Sequence, residues 1–256
     1  MTELRTIFDE DAELYDRARP AYPEPLFDEL VRLAGLRPGD RALEIGPGTG
    51  KASVPLARRG LRLTGVEPGE NMARVARRNL GAFPSADVRV GAFESWPLPA
   101  EPFDLVVAAT CWHWLDPDVR FLRAAEALRP GGALAIVDTV HVSDERGDEV
   151  FARIQRHYER CDPTAVAPWE MPRVSSLEPP QIDLDHFREP AFRAFPWAGT
   201  FTAPEYLDLL SSFSGHRAMA PDDRACLFDG IAGVIAEYGG RIQKHHAFTL
   251  TVAVRR

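Results

Sequence analysis

The sequence predicts an α/β fold: a doubly wound, mostly parallel seven-stranded sheet closed by an antiparallel C-terminal strand. A helical segment precedes the sheet and a cap is inserted late. Three observations predict this. From Arg41 to Thr139 short apolar runs alternate with longer amphipathic ones, as in successive βαβ units. A glycine-rich turn, "LEIGPGTGKAS", follows the first of those runs. A β-branched segment, "HHAFTLTVAVRR", closes the chain.

The five core strands are "RALEIG", "RLTGVE", "DVRVGAF", "FDLVVAAT" and "GALAIVDT". Between them "KASVPLARRG", "ENMARVARRNLGAF" and "DVRFLRAAEALRPGG" carry helical spacing, two of them ending at Gly or Pro stops. Parallel strands require such crossovers, and an open sheet of this kind binds ligands beyond the carboxyl ends of its strands. Residues just after each strand are therefore the functional candidates. Ahead of the sheet, residues 1–38 include a helix predicted to begin near Pro25 and stop around Gly35. The core spans 41–139. Residues 140–190 hold one helical piece, "DEVFARIQRHYERC", and a Pro-rich stretch with Trp169, Met171 and Leu177. These apolar residues favour an inserted cap over a solvated linker. Residues 191–256 supply a strand, "FRAFPWAGTF", two helices and the closing strand, all within one domain.

Composition narrows the function. Hydrophobic residues make up 45% of the 256 and charged residues 27%, which excludes a wholly disordered chain. The net charge of -8 argues against nucleic acid, whose affinity rests on clustered cations. Lysine occurs only at Lys51 and Lys244, all other cations being arginine; with abundant Ala, Gly and Pro this fits a GC-rich bacterial genome. Cys111, Cys161 and Cys226 have neither ligand spacing nor an even count, so no metal site, no disulfide framework and a reduced, cytoplasmic setting are expected. No run has the length and apolarity of a membrane span or export signal.

The glycine turn is tested against three ligand patterns. A P-loop needs G-x-x-x-x-G-K-[ST]; Gly46 to Gly50 is one residue short and Ala52 replaces the hydroxyl. The dinucleotide pattern needs a third small residue where Lys51 stands. The spacing of Glu44, Gly46, Gly48 and Gly50 fits E/D-x-G-x-G-x-G, which lets backbone approach a nucleoside without cradling a diphosphate. A plain strand-to-helix turn is the remaining alternative. Glu67 ends the second strand, 23 residues after Glu44, where a carboxylate accepts hydrogen bonds from ribose hydroxyls. Plain NAD would tolerate it equally.

That glycine pattern resembles the first motif of class I S-adenosylmethionine-dependent methyltransferases, and "LRPGGALAIVDT" resembles their late strand motif. "YDRARPAYP" and "CWHW" resemble the small-molecule subgroup that includes trans-aconitate methyltransferase. The resemblance implies a Rossmann-like domain, S-adenosylmethionine as cofactor, and methyl transfer to a small organic acceptor by in-line attack, releasing S-adenosylhomocysteine. It implies a cofactor site of Glu44, Gly46, Gly48, Gly50, Glu67, Pro68, Met72, Ala92, Phe93 and Thr110, with Glu94 as an added adenine contact. It also places the N-terminal segment over the cofactor, bringing Tyr15, Arg19 and Tyr22 to its methionine end.

After the fourth strand, Trp112, His113 and Trp114 fall where the acceptor should lie, with Tyr22 beside them. His113 is the candidate general base, with acceptor hydrogen bonding or a packed structural role as alternatives. Arg19 pairs with a carboxylate of cofactor or acceptor, or sits on the surface beside its proline turn. Trp169 and Trp197 are further apolar-wall candidates. Asp116 caps the next helix, and the tandem His245 and His246 alternate faces and are read as structural. The partners expected are a small-molecule acceptor, no nucleic acid and no membrane, in a monomer or weak homodimer. An NAD-dependent oxidoreductase and a non-catalytic cofactor-binding protein remain the rival functions.

Overall fold

The computed structural model describes residues 7–143, 148–161 and 171–256; Trp169 lies outside them. In chain order the elements are α1 (Ala12–Ala18), α2 (Glu24–Ala34), β1 (Arg41–Ile45), α3 (Ser53–Arg58), β2 (Arg62–Glu67), α4 (Glu70–Asn79), β3 (Ala86–Val90), β4 (Phe103–Ala109), α5 (Arg120–Ala127), β5 (Leu128–His141), α6 (Asp148–Cys161), β6 (Ala191–Thr202), α7 (Ala203–Ser211), α8 (Ser214–Ala218), α9 (Pro221–Glu237) and β7 (Arg241–Val254). The seven strands form one sheet in the order β3-β2-β1-β4-β5-β7-β6. β1 to β5 run parallel, and β7 is antiparallel to both β5 and β6. The Rossmann-like expectation holds, and strand order reverses between β1 and β4, which opens a crevice at their carboxyl ends.

Burial explains the strands. β4 reads as an almost unbroken apolar run because both its faces are covered. Leu105 and Val107 join Ala42, Leu63 and Ala135 under α2 and α3, whereas Val106 and Ala108 join Leu43, Ile136 and the alanines of α5. Helix α2 ends as its sequence demands: Gly35 takes a left-handed φ of 65° and its N–H returns to Arg32 O and Val31 O. The Pro-Gly-Gly motif after α5 is absorbed into β5 as a register shift opposite Phe103 and Leu105, rather than forming a separate turn.

A third apolar layer joins α6, α7 and α9 through Phe151, Ile154, Tyr206, Leu227 and Ile231. Two expectations are corrected here. Three helices, not two, separate β6 from β7, because Phe213 leaves helical geometry (ψ 136°) and α8 restarts at Ser214. The cysteines are also not all free: Cys161 of α6 and Cys226 of α9 form a disulfide across 65 residues. Odd count and wide spacing hid the pair, since two facing helices brought the thiols together. Cys111 is free. No described helix is long and apolar enough to cross a membrane.

Candidate functional site

A cavity of about 290 Å³ opens at the carboxyl ends of β1, β2, β4 and β5. Its near wall is the glycine turn. Gly46 and Gly48 both adopt φ of 57°, a left-handed conformation that glycine reaches without strain. A Cβ on Gly46 would sit 3.2 Å from the Cys111 side chain, whereas one on Gly48 would meet nothing nearer than Tyr15 at 3.9 Å. Backbone at Gly48 is thus open to a ligand. Gly50 turns inward against Ala76 of α4 and does not line the cavity, so its role is to admit α4 rather than to touch a cofactor.

Two carboxylates stand beside this turn. Glu44 is 1% exposed and accepts a hydrogen bond from Ser53 Oγ at 2.6 Å. Burial pushes its pKa up to about 7, against the Ser53 hydrogen bond and with a smaller contribution from Glu67. Glu67 accepts from Gly48 N through one oxygen and Gly69 N through the other, each at 2.9 Å. It therefore ties the two loops together while remaining on the cavity wall with Pro68 and Met72.

The N-terminal segment closes over these loops. Asp9 Oδ1 accepts from Met72 N at 2.8 Å at the start of α4, and Lys51 Nζ donates to Asp16 O at 2.7 Å. Neither tie is legible in the sequence, because no motif pairs Asp9 with Met72 or Asp16 with Lys51. Phe8 meets Trp114 at 5.9 Å, and Tyr15 lines the same wall. Arg19 lies 3.8 Å over the Phe213 ring and donates to Ser212 O; burial lowers its pKa from the ordinary guanidinium value.

The end of β4 supplies the opposite wall. Thr110 holds φ at 56°, an outlier for a β-branched residue. Its hydroxyl donates to Ala109 O at 2.8 Å, so Tyr22 Oη at 3.2 Å acts as donor to it. Tyr22 is itself buried, which raises its pKa well above the usual phenol value. His113 and Trp114 line the cavity with their rings 4.9 Å apart. Burial lowers the His113 pKa; the charge of Asp138 opposes this and Arg120 reinforces it.

Besides Gly50 and Glu94, four sequence candidates lie off the cavity wall. Trp112 is only 4% exposed and packs against Phe121, because the short 3-10 turn at Trp112–Trp114 rotates it towards α5 while its two neighbours face the cavity. Phe93 is 1% exposed in the core beside Val66 and Phe103. Ala92 is off the cavity wall with it, since β3 already ends at Val90. Trp197 packs on His246 and Phe248, behind the cavity. Conversely, His246 does line the cavity, together with His141 and Phe213. The alternation of β7 was legible; the strand it faces was not.

A sheet with this order, an acid-flanked glycine turn and a nucleoside-sized cavity defines a nucleoside-cofactor α/β domain. A methyltransferase domain model matches residues 43–136. An uncharacterized methyltransferase of Mycobacterium tuberculosis is 38% identical over 123 residues, 48% of this chain and 48% of that protein. One from Geobacillus kaustophilus is 30% identical over 146 residues, 54% of this chain and 67% of that protein. Phosphoethanolamine N-methyltransferase 2 of Haemonchus contortus, solved with phosphomonomethylethanolamine and S-adenosylhomocysteine, shares the fold at a TM-score of 0.52 and 18% identity, covering 96% of this chain and 57% of that one. The chain belongs to the class I S-adenosylmethionine-dependent methyltransferase family. It spans about half the length of the mycobacterial relatives it matches.

The residues present fit the family's cofactor. Open backbone at Gly48 admits a close approach, and the Glu67 carboxylate, with Glu44 as a further acceptor, stands where a cationic, hydroxylated ligand would lie.

Proposed function

We propose that the protein transfers a methyl group from S-adenosylmethionine to a small organic acceptor, with His113 as general base. When bound, the cofactor supplies an electrophilic sulfonium methyl in line with the acceptor. The chain's own residues do the rest. Glu44 and Glu67 hold the cofactor's polar end, Gly46 and Gly48 give it backbone contact, and Pro68 and Met72 flank it, while Tyr15 and Phe8 cover it from the N-terminal segment. Ordering two reactants in one cavity can lower a barrier by roughly 7 to 11 kcal/mol. His113, an exposed residue of the cavity wall with the Trp114 ring beside it, takes the acceptor's proton where that proton is lost in the transition state. The observation that carries this reading is the cavity itself: the acid-flanked glycine turn and His113 line one continuous space.

The cavity volume of about 290 Å³ suits a small acceptor, and the net charge of -8 disfavours nucleic acid. The test is release of S-adenosylhomocysteine from S-adenosylmethionine in the presence of acceptor mixtures, followed by mass spectrometry of the methylated product. Substituting His113→Ala should lower kcat on the order of 100-fold while cofactor affinity is retained. Activity of the parent should rise with pH through a value below 6.5, because His113 acts as base only when neutral and burial lowers its pKa. Full activity in His113→Ala with a hydroxyl acceptor would remove the base from the proposal. Absence of any transfer, with the cofactor bound, would favour a non-catalytic binding protein.

A further inference from the structure

The far end of the cavity gathers basic side chains without acids. His141 ends β5 and sits in register with His246 of β7, their ring centroids 4.7 Å apart. Alternation along β7 puts Lys244, His246 and Phe248 on one face. Lys244 is 3% exposed, donates to Tyr206 Oη at 3.2 Å, and lies over the rings of Phe151 and Tyr206. Arg19 reaches the same region from the N-terminal segment, and its charge is felt at Lys244, His141 and His246. Among the described residues neither Arg19 nor Lys244 has a carboxylate within ion-pair distance. Arg19 Nε and His246 Nδ1 are buried with no hydrogen-bond partner.

An uncompensated buried charge is costly, and orphaned buried donors are costly as well. The cavity's two acidic wall residues, Glu44 and Glu67, are already engaged at the opposite end by Ser53, Gly48 and Gly69. Asp138, at the end of β5, acts on His113 instead. The other titratable neighbour, His245, adds further positive influence on His246. No described group therefore balances this end, and the balance has to arrive with a ligand. The surrounding rings of Tyr22, Phe213 and Phe248 require that ligand to have an apolar body.

We infer that this end is an anion site for the methyl acceptor, taking a carboxylate or similar oxyanion on an apolar body, with Arg19, His141 and His246 around the anion and Lys244 behind them. The inference rests on the cofactor reading, since the glycine-turn end must hold the nucleoside for this end to face an acceptor. Its consequence is linked proton uptake. Burial first, then neighbouring cations, hold His141 at about 2, His246 at about 3 and Lys244 at about 7. An anion among them raises all three values, and Lys244, the one that stands near neutrality, takes up a proton on binding.

The experiment is calorimetry on the full chain saturated with S-adenosylhomocysteine, using phenylacetate and isovalerate against phenylacetamide and isovaleramide, each in two buffers of different ionisation enthalpy. The expected result is a preference of about tenfold or more for each carboxylate over its amide, with proton uptake. Lys244→Met and His246→Asn, checked for folding by circular dichroism, should each cut that preference to about threefold or less without changing the affinity for S-adenosylhomocysteine. Equal binding of acids and amides, or no carboxylate binding at all, overturns the inference. So does a loss of S-adenosylhomocysteine affinity in these variants with the carboxylate preference intact, because the cations would then serve the cofactor's own carboxylate. Failure of S-adenosylhomocysteine to bind the parent chain would instead strike the cofactor reading, and the acid-amide comparison on the free chain would still decide the anion site.

Discussion

The two ends of the cavity are built in opposite ways. The end formed by β1 and β2 is assembled from neighbours in sequence: Glu44, Gly46, Gly48 and Ser53 lie within ten residues, and Glu67 closes it through two backbone hydrogen bonds. The end formed by β5 and β7 is assembled from Arg19, His141, Phe213 and His246, which share no local motif. The first end is acidic and rigidly tied; the second is basic and carries unpartnered side-chain nitrogens. Local spacing can encode a turn that a common cofactor requires. A pocket for a particular acceptor can be drawn from anywhere that the topology brings together.

The sharpest way to break the comparison is at the tied end. Replacing Gly46 by Val would force a β-branched residue into a left-handed conformation and press its Cβ to 3.2 Å from Cys111. The expected loss is about 2 to 4 kcal/mol in the urea unfolding midpoint analysis, from strain and overpacking together. An unchanged midpoint would show that this turn is not rigid. A comparable effect is expected well away from both ends. Reducing Cys161–Cys226, or substituting Cys226→Ser, should cost about 2 to 4 kcal/mol by releasing a 65-residue loop. Because that bond joins α6 to α9, S-adenosylhomocysteine affinity should not change when it is cut.

Acid titration separates the ends more finely. His141 and His246 have folded values of about 2 and about 3, below the ordinary imidazole value of 6.5. The unfolded chain therefore binds more protons below pH 6.5, and stability falls as pH drops from there towards those folded values. Each histidine should contribute a slope of about 1.4 kcal/mol per pH unit between pH 6 and 4, read from denaturation midpoints. His141→Asn should flatten that slope; an unaltered slope would mean that the ring is not held neutral by its surroundings. The smallest effect is expected at Thr110. Thr110→Asn keeps a polar side chain where φ is 56° and suits that conformation better, so the net change should stay within about 1 kcal/mol.

The alternating βαβ pattern made the sheet readable, and the glycine spacing made one end of the cavity readable. Glu67 could be placed because a strand's last residue is fixed relative to the turn beside it. The errors share one physical origin: strand ends were taken to point at the ligand. Phe93 lies past the end of β3, where the chain turns down into the core, and Trp112 is swung inward by a single 3-10 turn. A two-residue difference in such a turn exchanges wall for core. His246 was read correctly as facing away from His245, but which sheet face met the cavity depended on its pairing with β5. The Cys161–Cys226 bond likewise follows from helix packing that no spacing rule describes.

We propose that the acid-flanked glycine turn holds S-adenosylmethionine. It is tested most directly by calorimetric titration of the full chain with S-adenosylmethionine, S-adenosylhomocysteine, NADH and ATP, repeated with Glu67→Ala. Binding of the two adenosyl sulfur compounds alone is expected, weakened on the order of 100-fold when the Glu67 carboxylate and its two backbone ties are lost. Binding of NADH in their place, or S-adenosylhomocysteine affinity indifferent to Glu67→Ala, would contradict it.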